Sequence, residues 1–452
     1  MLVSTHEIFW HAGDGRNLPV FGLDISRHSG RLATAGADAT VRLWNLTSGP
    51  DGNVAVHHVS DLTRHTKPVN QVRFSPCGAE LVASASDDTL VYIWQRNEND
   101  APGESAESWG VVSTLHGHIS DVTSVAWSPN ARRLVSGEIQ HRIIIWNVAS
   151  GTALMTIPAH SKFVKGVCWD PHDAFIVSQS CDRSCVVFRH QSQPKPKESL
   201  CALFKTLKSA RFQDNDRDDG KPIRATDLFA DDAVLSYFRR PCWSPDGTFL
   251  VTPTAMFQDV CCTLVWHRDH LEKPLYVLRS PQKPTTIVAF CPAYFRLRSE
   301  PNPVKRRLPL QYRMVFAIAC NDGSLAIHDT EMEPPIASIS GLHLSQITDM
   351  SWLAKGEALV VSSSDGYVST ITFGADEIGD IIPIPEYEKF GIPKPDVNWS
   401  STSPRTDEGR SSLNPGSDWR PDPDPDIVEI PPPRRIVPQL QPRRVPLIHI
   451  DD

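Results

Sequence analysis

The sequence has no run of about 18 uncharged apolar residues, so no membrane-spanning helix is expected. Its opening, MLVSTHEIFWHAGDGRN, lacks a basic leader and an apolar stretch, and no secretory signal is expected there. No cysteine pair has CxxC or zinc-ligand spacing: Cys181 with Cys185, and Cys261 with Cys262, fit neither pattern. The ten cysteines are therefore expected to be reduced thiols of an intracellular protein, most of them small core residues. Positive charge is not in excess. With 45 Lys and Arg against 53 Asp and Glu the net charge is −8, which argues against binding nucleic acid by bulk electrostatics. No direct sequence-specific DNA binding is expected. GxSxG, Walker, HExxH and EF-hand patterns are all missing, so neither an enzyme nor a metal or cofactor site is expected.

What is present divides at proline. From Pro383 onward 15 of the 38 prolines fall in 70 residues, against 23 in the preceding 382. A segment so poor in apolar residues cannot offset its ordering entropy, and residues 383–452 are expected to be a disordered tail. The first 382 residues carry a repeat. An apolar or aromatic residue followed by a turn recurs at Ile25, Phe74, Trp127, Trp169, Trp243, Phe290 and Trp352. A second station follows at Trp44, Trp94, Trp146, Phe188, Trp266, His328 and Ile371. The separations are 19, 20, 19, 19, 23, 38 and 19 residues. Between stations lie short β-rich runs broken by Asp, Gly or Ser, as in LVASASDDTLVYIW. An Asp precedes the second station by six residues at Asp38, Asp88, Asp182, Asp322 and Asp365, where its carboxylate can fold back on the turn backbone.

This pattern resembles the WD40 repeat and implies an all-β, seven-bladed propeller over residues 1–382. The strand around Val3 to Trp10 is expected to complete the last blade. Seven blades of about 42 residues need about 294, so the remainder is assigned to loop insertions near 96–111, 191–237 and 293–310. His65, His118 and His160 stand where an imidazole joins the turn Asp, a strand Ser and the Trp. His65, Asp88, Trp94, His118 and Trp146 are accordingly read as a structural blade network rather than as catalytic groups. Gln140 stands at the Asp position of blade three, and Phe188 at the Trp position of blade four, so those networks are expected to be incomplete. Tyr237, Phe238, Arg239 and Arg240 place two aromatics beside two arginines. They serve either a partner subunit or the anchoring of the insertion to its blade.

In the tail, Arg434, Arg435, Ile436, Val437 and Pro438 are followed by a second basic and apolar run, Arg443 to Ile448. Such a segment either adds as a strand to a partner's sheet, its arginines meeting carboxylates, or is a nuclear-import signal or solvated linker. The residues alone leave this open.

The opening VSTHEIFWH, GPDG at 49–52, LTRHTKPVNQVRFSP, DDAVLSYFRR, CPAYFRLR, YRMVFAIA and SSDGYVSTITF together resemble the middle, WD40 (p60-type) subunit family of chromatin assembly factor 1, related to the HIRA histone regulators. The resemblance covers nearly the whole propeller. It implies a nuclear, non-catalytic scaffold in replication-coupled deposition of histones H3 and H4, held in a complex with a large and a small subunit. The histones would be met through the complex. It also implies a tail motif, Arg-Arg-Ile-x-Pro, that binds the anti-silencing H3–H4 chaperone. Arg434, Arg435, Ile436 and Pro438 match that motif, with Leu440 closing the segment. The second copy, Arg443, Arg444, Val445 and Leu447, lacks the spacer before proline. A HIRA-type replication-independent role is the alternative, and the short tail argues against it. A cullin-type ubiquitin-ligase receptor is a further alternative; the Trp-Asp-x-Arg it would show is replaced by Asn45-Leu46, Gln95-Arg96 and Asn147-Val148.

Overall fold

The computed structural model describes residues 1–393 apart from 50–53, 77–79, 98–106, 193–198, 211–225, 259, 281–282, 299–307 and 309. Among the described residues seven four-stranded antiparallel sheets follow one another around a ring. The inner strands are Val20–Ile25, Val69–Phe74, Val122–Trp127, Val164–Trp169, Cys242–Trp243, Thr285–Phe295 and Ile347–Trp352. Each of the first six blades runs in chain order from its inner strand outward to its fourth strand. The seventh is completed by Leu2–Thr5, which pairs antiparallel with Val368–Thr372. The expected closure of the ring by the opening segment is therefore present, in a strand shorter than Val3 to Trp10.

The repeat stations have a simple geometric meaning. Phe74 and Trp94 both pair with Val82, one from each side of the second strand of blade two. Trp127 and Trp146 flank Leu134 in the same way. The constant spacing is thus the length of a strand, a turn and a strand. Because both faces of every sheet are covered by neighbouring blades, the second strands are buried throughout, as in Leu81–Ser86 and Ala358–Ser363. Each interface between adjacent blades holds its own apolar cluster. Val135, Ile145, Val164, Trp169 and Phe188 fill the seam between blades three and four, and Val20, Leu23, Trp44, Val360 and Val368 fill the closing seam. At about 25 cal/mol per Å² of apolar surface removed from water, these seams are the main favourable term holding the ring closed.

The insertions are narrower than expected. Trp109–Leu115 is the outer strand of blade two, Cys201–Leu207 that of blade four, and the inner strand of blade six runs through Ala293 to Phe295. The ordered chain also passes the boundary expected at 382. A 3-10 turn at Ile384–Phe390, with a proline in its first positions, buries Tyr387 edge-on against Tyr294 with ring centroids 5.2 Å apart. The nine described cysteines are free thiols, and burial raises those of Cys201, Cys262 and Cys291 to about 12.

Candidate functional site

The polar chain expected of the blades is formed, and its chemistry fixes its direction. In blade two the Trp94 indole N–H can only donate, and it donates to Ser84 Oγ at 2.8 Å. The Ser84 hydroxyl is then free to donate to His65 Nε2 at 2.8 Å. His65 Nδ1–H in turn meets the Asp88 carboxylate at 2.8 Å. Asp88 also accepts the Thr66 and Leu90 amides, which holds the turn. Blade three repeats the chain through Trp146, Ser136 and His118. Its acid is Glu138 at 2.9 Å from His118 Nδ1, which corrects the expectation of an incomplete network. Gln140, aligned with the turn Asp, is exposed, and the longer Glu side chain reaches back from the end of the strand instead. Burial opposes ionisation of Glu138, but bonds from His118, Arg142 and the Ile119 amide bring its carboxyl down to about 2. Burial likewise lowers the His118 imidazole, so the pair is a neutral ring on a carboxylate.

Blade four joins His160 to Asp182, and to Ser178 at 2.8 Å, while Phe188 packs where the indole would stand. Two members escaped the sequence reading. His11 bonds Asp38 at 2.7 Å and Thr34 at 3.0 Å in blade one, and His343 bonds Asp365 at 3.1 Å in blade seven. His343 stands 22 residues before its turn Asp, the spacing of His160 from Asp182, and was findable by it, whereas His11 at 27 residues falls outside that spacing. In blade seven Val361 and Ile371 occupy the Ser and Trp positions, and His343 Nε2 is buried without a hydrogen-bond partner in the described structure. In blades one to four the imidazole nitrogens are occupied by the turn acid and the strand hydroxyl, which makes these chains braces of the turns.

The segment Tyr237 to Arg240 is the larger correction. Phe238, Arg239 and Arg240 are buried, so their contacts are with this chain and only Tyr237 stands exposed to a partner. They run just ahead of Cys242–Trp243, the inner strand of blade five. The Arg239 amide donates to Lys165 O at 3.1 Å, and the Arg240 amide to Thr286 O at 2.9 Å, bridging blades four and six. Gly166 is required for this approach, since a Cβ there would lie 2.0 Å from Arg239 O. Arg239 caps the carbonyls of Ser180, Ala230 and Asp231. Arg240 crosses the channel to the carboxylate of Asp349 and stacks over Phe238 at 4.1 Å from its centroid. Asp349 is also held by Arg73, Nη1 at 2.7 Å and Nη2 at 3.0 Å. Burial pushes Arg240 down to about 10, against the pull of Asp349. This ion cluster ties blades two, five and seven at the axis, and the Leu23 amide joins Asp349 from blade one. Nothing in the sequence pattern marked it, because its three members lie in three different blades.

The tail residues Arg434, Arg435, Ile436, Pro438, Leu440, Arg443, Arg444, Val445 and Leu447 lie outside the described residues. Among the described residues no three His, Cys, Asp or Glu side chains converge in a metal-binding group. No described helix is long and apolar enough to cross a membrane.

Residues 1–378 match the model of the CAF1B/HIR1 beta-propeller domain. The mouse protein named as the B subunit of chromatin assembly factor 1 is 36% identical over 425 residues, spanning 88% of this chain and 71% of the mouse one. The chromatin assembly factor 1 subunit FAS2 homolog of Oryza sativa subsp. japonica is 35% identical over 385 residues, 83% of this chain and 73% of the rice one. Protein HIR1 of Kluyveromyces lactis is 27% identical over 418 residues, 87% of this chain and 46% of the yeast one.

Proposed function

Because the chain belongs to the CAF1B/HIR1 β-propeller family, we propose that it is a non-catalytic scaffold subunit of a nuclear complex that assembles histones H3 and H4 onto replicating DNA. The observation that carries this reading is the match to the mouse B subunit of chromatin assembly factor 1 across most of both chains. The large and small subunits of that factor are its partners, and the histones are met through the complex. A propeller fold alone would not justify this, since propellers host many functions. The HIR1-type role is the second reading. The higher identity to the mouse protein, 36% against 27% for the yeast HIR1, favours the first.

Within this reading, the tail recruits the anti-silencing H3–H4 chaperone as an added strand. Ile436 fills an apolar pocket, Arg434 and Arg435 pair with carboxylates, and Pro438 ends the ladder because it has no N–H to give. Titration calorimetry of full-length protein with that chaperone tests the assignment. Replacing Arg434 and Arg435 by alanine is expected to weaken binding more than tenfold, about 1.4 kcal/mol, while the same change at Arg443 and Arg444 costs less. Normal binding by both double variants would remove the tail from the mechanism. A loss confined to Arg443 and Arg444 would move the site to the second copy.

A further inference from the structure

The loops that lead into the inner strands all lie at one end of the ring, because every blade runs from inner to outer strand in the same sense. At this end several of those loops display large apolar side chains to solvent: Phe9 is 64% exposed, Leu235 82% and Leu344 97%. A soluble surface scatters single apolar residues, but a contiguous set at one end signals a contact surface. Continuity here is structural. Ile8, Phe9, Leu344 and Tyr367 line one cavity of about 560 Å³ between blades seven and one. Two residues after Leu344, Gln346 Oε1 accepts the Tyr237 amide at 3.2 Å. Tyr237 packs on Phe21 of blade one with ring centroids 5.3 Å apart. Tyr237 and Leu235, two residues apart and both exposed, extend the apolar strip from the Gln346 contact.

Charge selects the occupant. The cavity lining contains two carboxylates, Glu7 and Asp365, and neither lysine nor arginine. Asp365 is fixed in place by His343 and by the amides of Leu344 and Tyr367, and Glu7 is exposed at the rim. Two copies of this chain meeting cavity to cavity would bring carboxylates against carboxylates, which disfavours a symmetric dimer through this face. A strip longer than one side chain, beginning in a pocket, suits an extended chain better than a compact ligand.

We propose that this cavity and the strip leading from it dock an extended segment of a partner protein that carries a bulky apolar side chain flanked by lysine or arginine. The apolar side chain enters between Phe9, Leu344 and Tyr367, and the basic flank faces Glu7 and Asp365. The site lies in the propeller and is independent of the tail motif, so either can fail without the other.

The test is selection of a displayed library of random twelve-residue peptides on the full-length protein. A Phe9→Asp, Leu344→Asp double variant serves as counter-selection. Both side chains are exposed, so the variant's thermal melt should match the wild type; Glu7→Lys is a second variant that alters charge alone. Enriched peptides are expected to combine Leu, Ile, Phe or Tyr with Lys or Arg. Their synthetic forms should bind both variants at least tenfold more weakly. Failure to enrich, enrichment of acidic peptides, or equal binding to all three proteins would overturn the proposal. Binding that appears only after removal of residues 394–452 would give the cavity to this chain's own tail, and a dimer abolished by the double variant would give it to a second copy; either result overturns a partner segment.

Discussion

Two carboxylates near the channel axis should respond very unequally to the same isosteric change. Asp349 is 1% exposed and accepts Arg73 through both nitrogens, the Leu23 amide at 3.1 Å, and Arg240. Burial works against its ionisation, yet the two guanidinium charges prevail and hold its carboxyl below the ordinary value. Asp349→Asn keeps one acceptor oxygen but removes the charge that Arg240 and Arg73 share, leaving cations without a counter-ion. Breaking a buried pair in this way costs about 3–5 kcal/mol. Asp24 differs. Burial raises its carboxyl despite nearby Arg73 and the Phe74 amide. In Asp24→Asn the oxygen can keep the Phe74 amide, at 2.9 Å in the wild type, and the new NH₂ can donate to Ser351 Oγ, now 3.0 Å away. The expected loss is within about 1 kcal/mol. Urea unfolding followed by tryptophan fluorescence measures both. The signs with pH oppose. Asp349 contributes stability that is full above the unfolded carboxylate range and is lost as pH falls through its depressed folded value, so Asp349→Asn should show a shallower acid loss. Asp24, with a raised value, favours the protonated fold as pH falls. Equal losses for the two variants, or a loss below about 1 kcal/mol at Asp349, would refute the assignment of the cluster as the axial tie.

The remaining expectations concern single blades and the boundary. Glu138→Gln should cost about 3 kcal/mol at neutral pH, from a carboxyl at about 2 in the fold against 4.5 ordinarily. That contribution is full above 4.5 and lost as pH falls toward 2, whereas Gln140→Ala should be nearly neutral; an acid-titrated melt of both proteins checks this. Trp94→Ala should cost about 3–5 kcal/mol in denaturant melts, since it removes a buried indole and leaves Ser84 without its donor. Tyr387→Ala should cost about 3 kcal/mol, and a melt identical to wild type would return the domain boundary to 382.

The sequence made the ring legible because WD40 blades repeat their geometry: station spacing is strand length, and turn Asp residues mark the second-to-third strand connection. Where geometry departs from the repeat, the pattern was blind. Glu138 was passed over because it sits at a strand end while Gln140 held the aligned position. The segment Phe238 to Arg240 was left open between a partner contact and an anchor, because its backbone bonds go to blades four and six, which no local pattern could show. Pro383 and Pro385 were read as the start of a disordered tail, although proline suits the first positions of a 3-10 turn, and Tyr387 supplies the burial that orders it. The axial ion cluster joins residues as far apart as Arg73 and Asp349, which no local window could connect.

The most direct measurement of the scaffold role is affinity purification of the full-length protein from nuclei with quantitative mass spectrometry, beside the Arg434→Ala, Arg435→Ala variant. The predicted result is stoichiometric recovery of the large and small subunits of chromatin assembly factor 1 with histones H3 and H4, and loss of the anti-silencing chaperone alone in the variant. Recovery of HIR-type complex subunits or of a cullin in place of those subunits would contradict it.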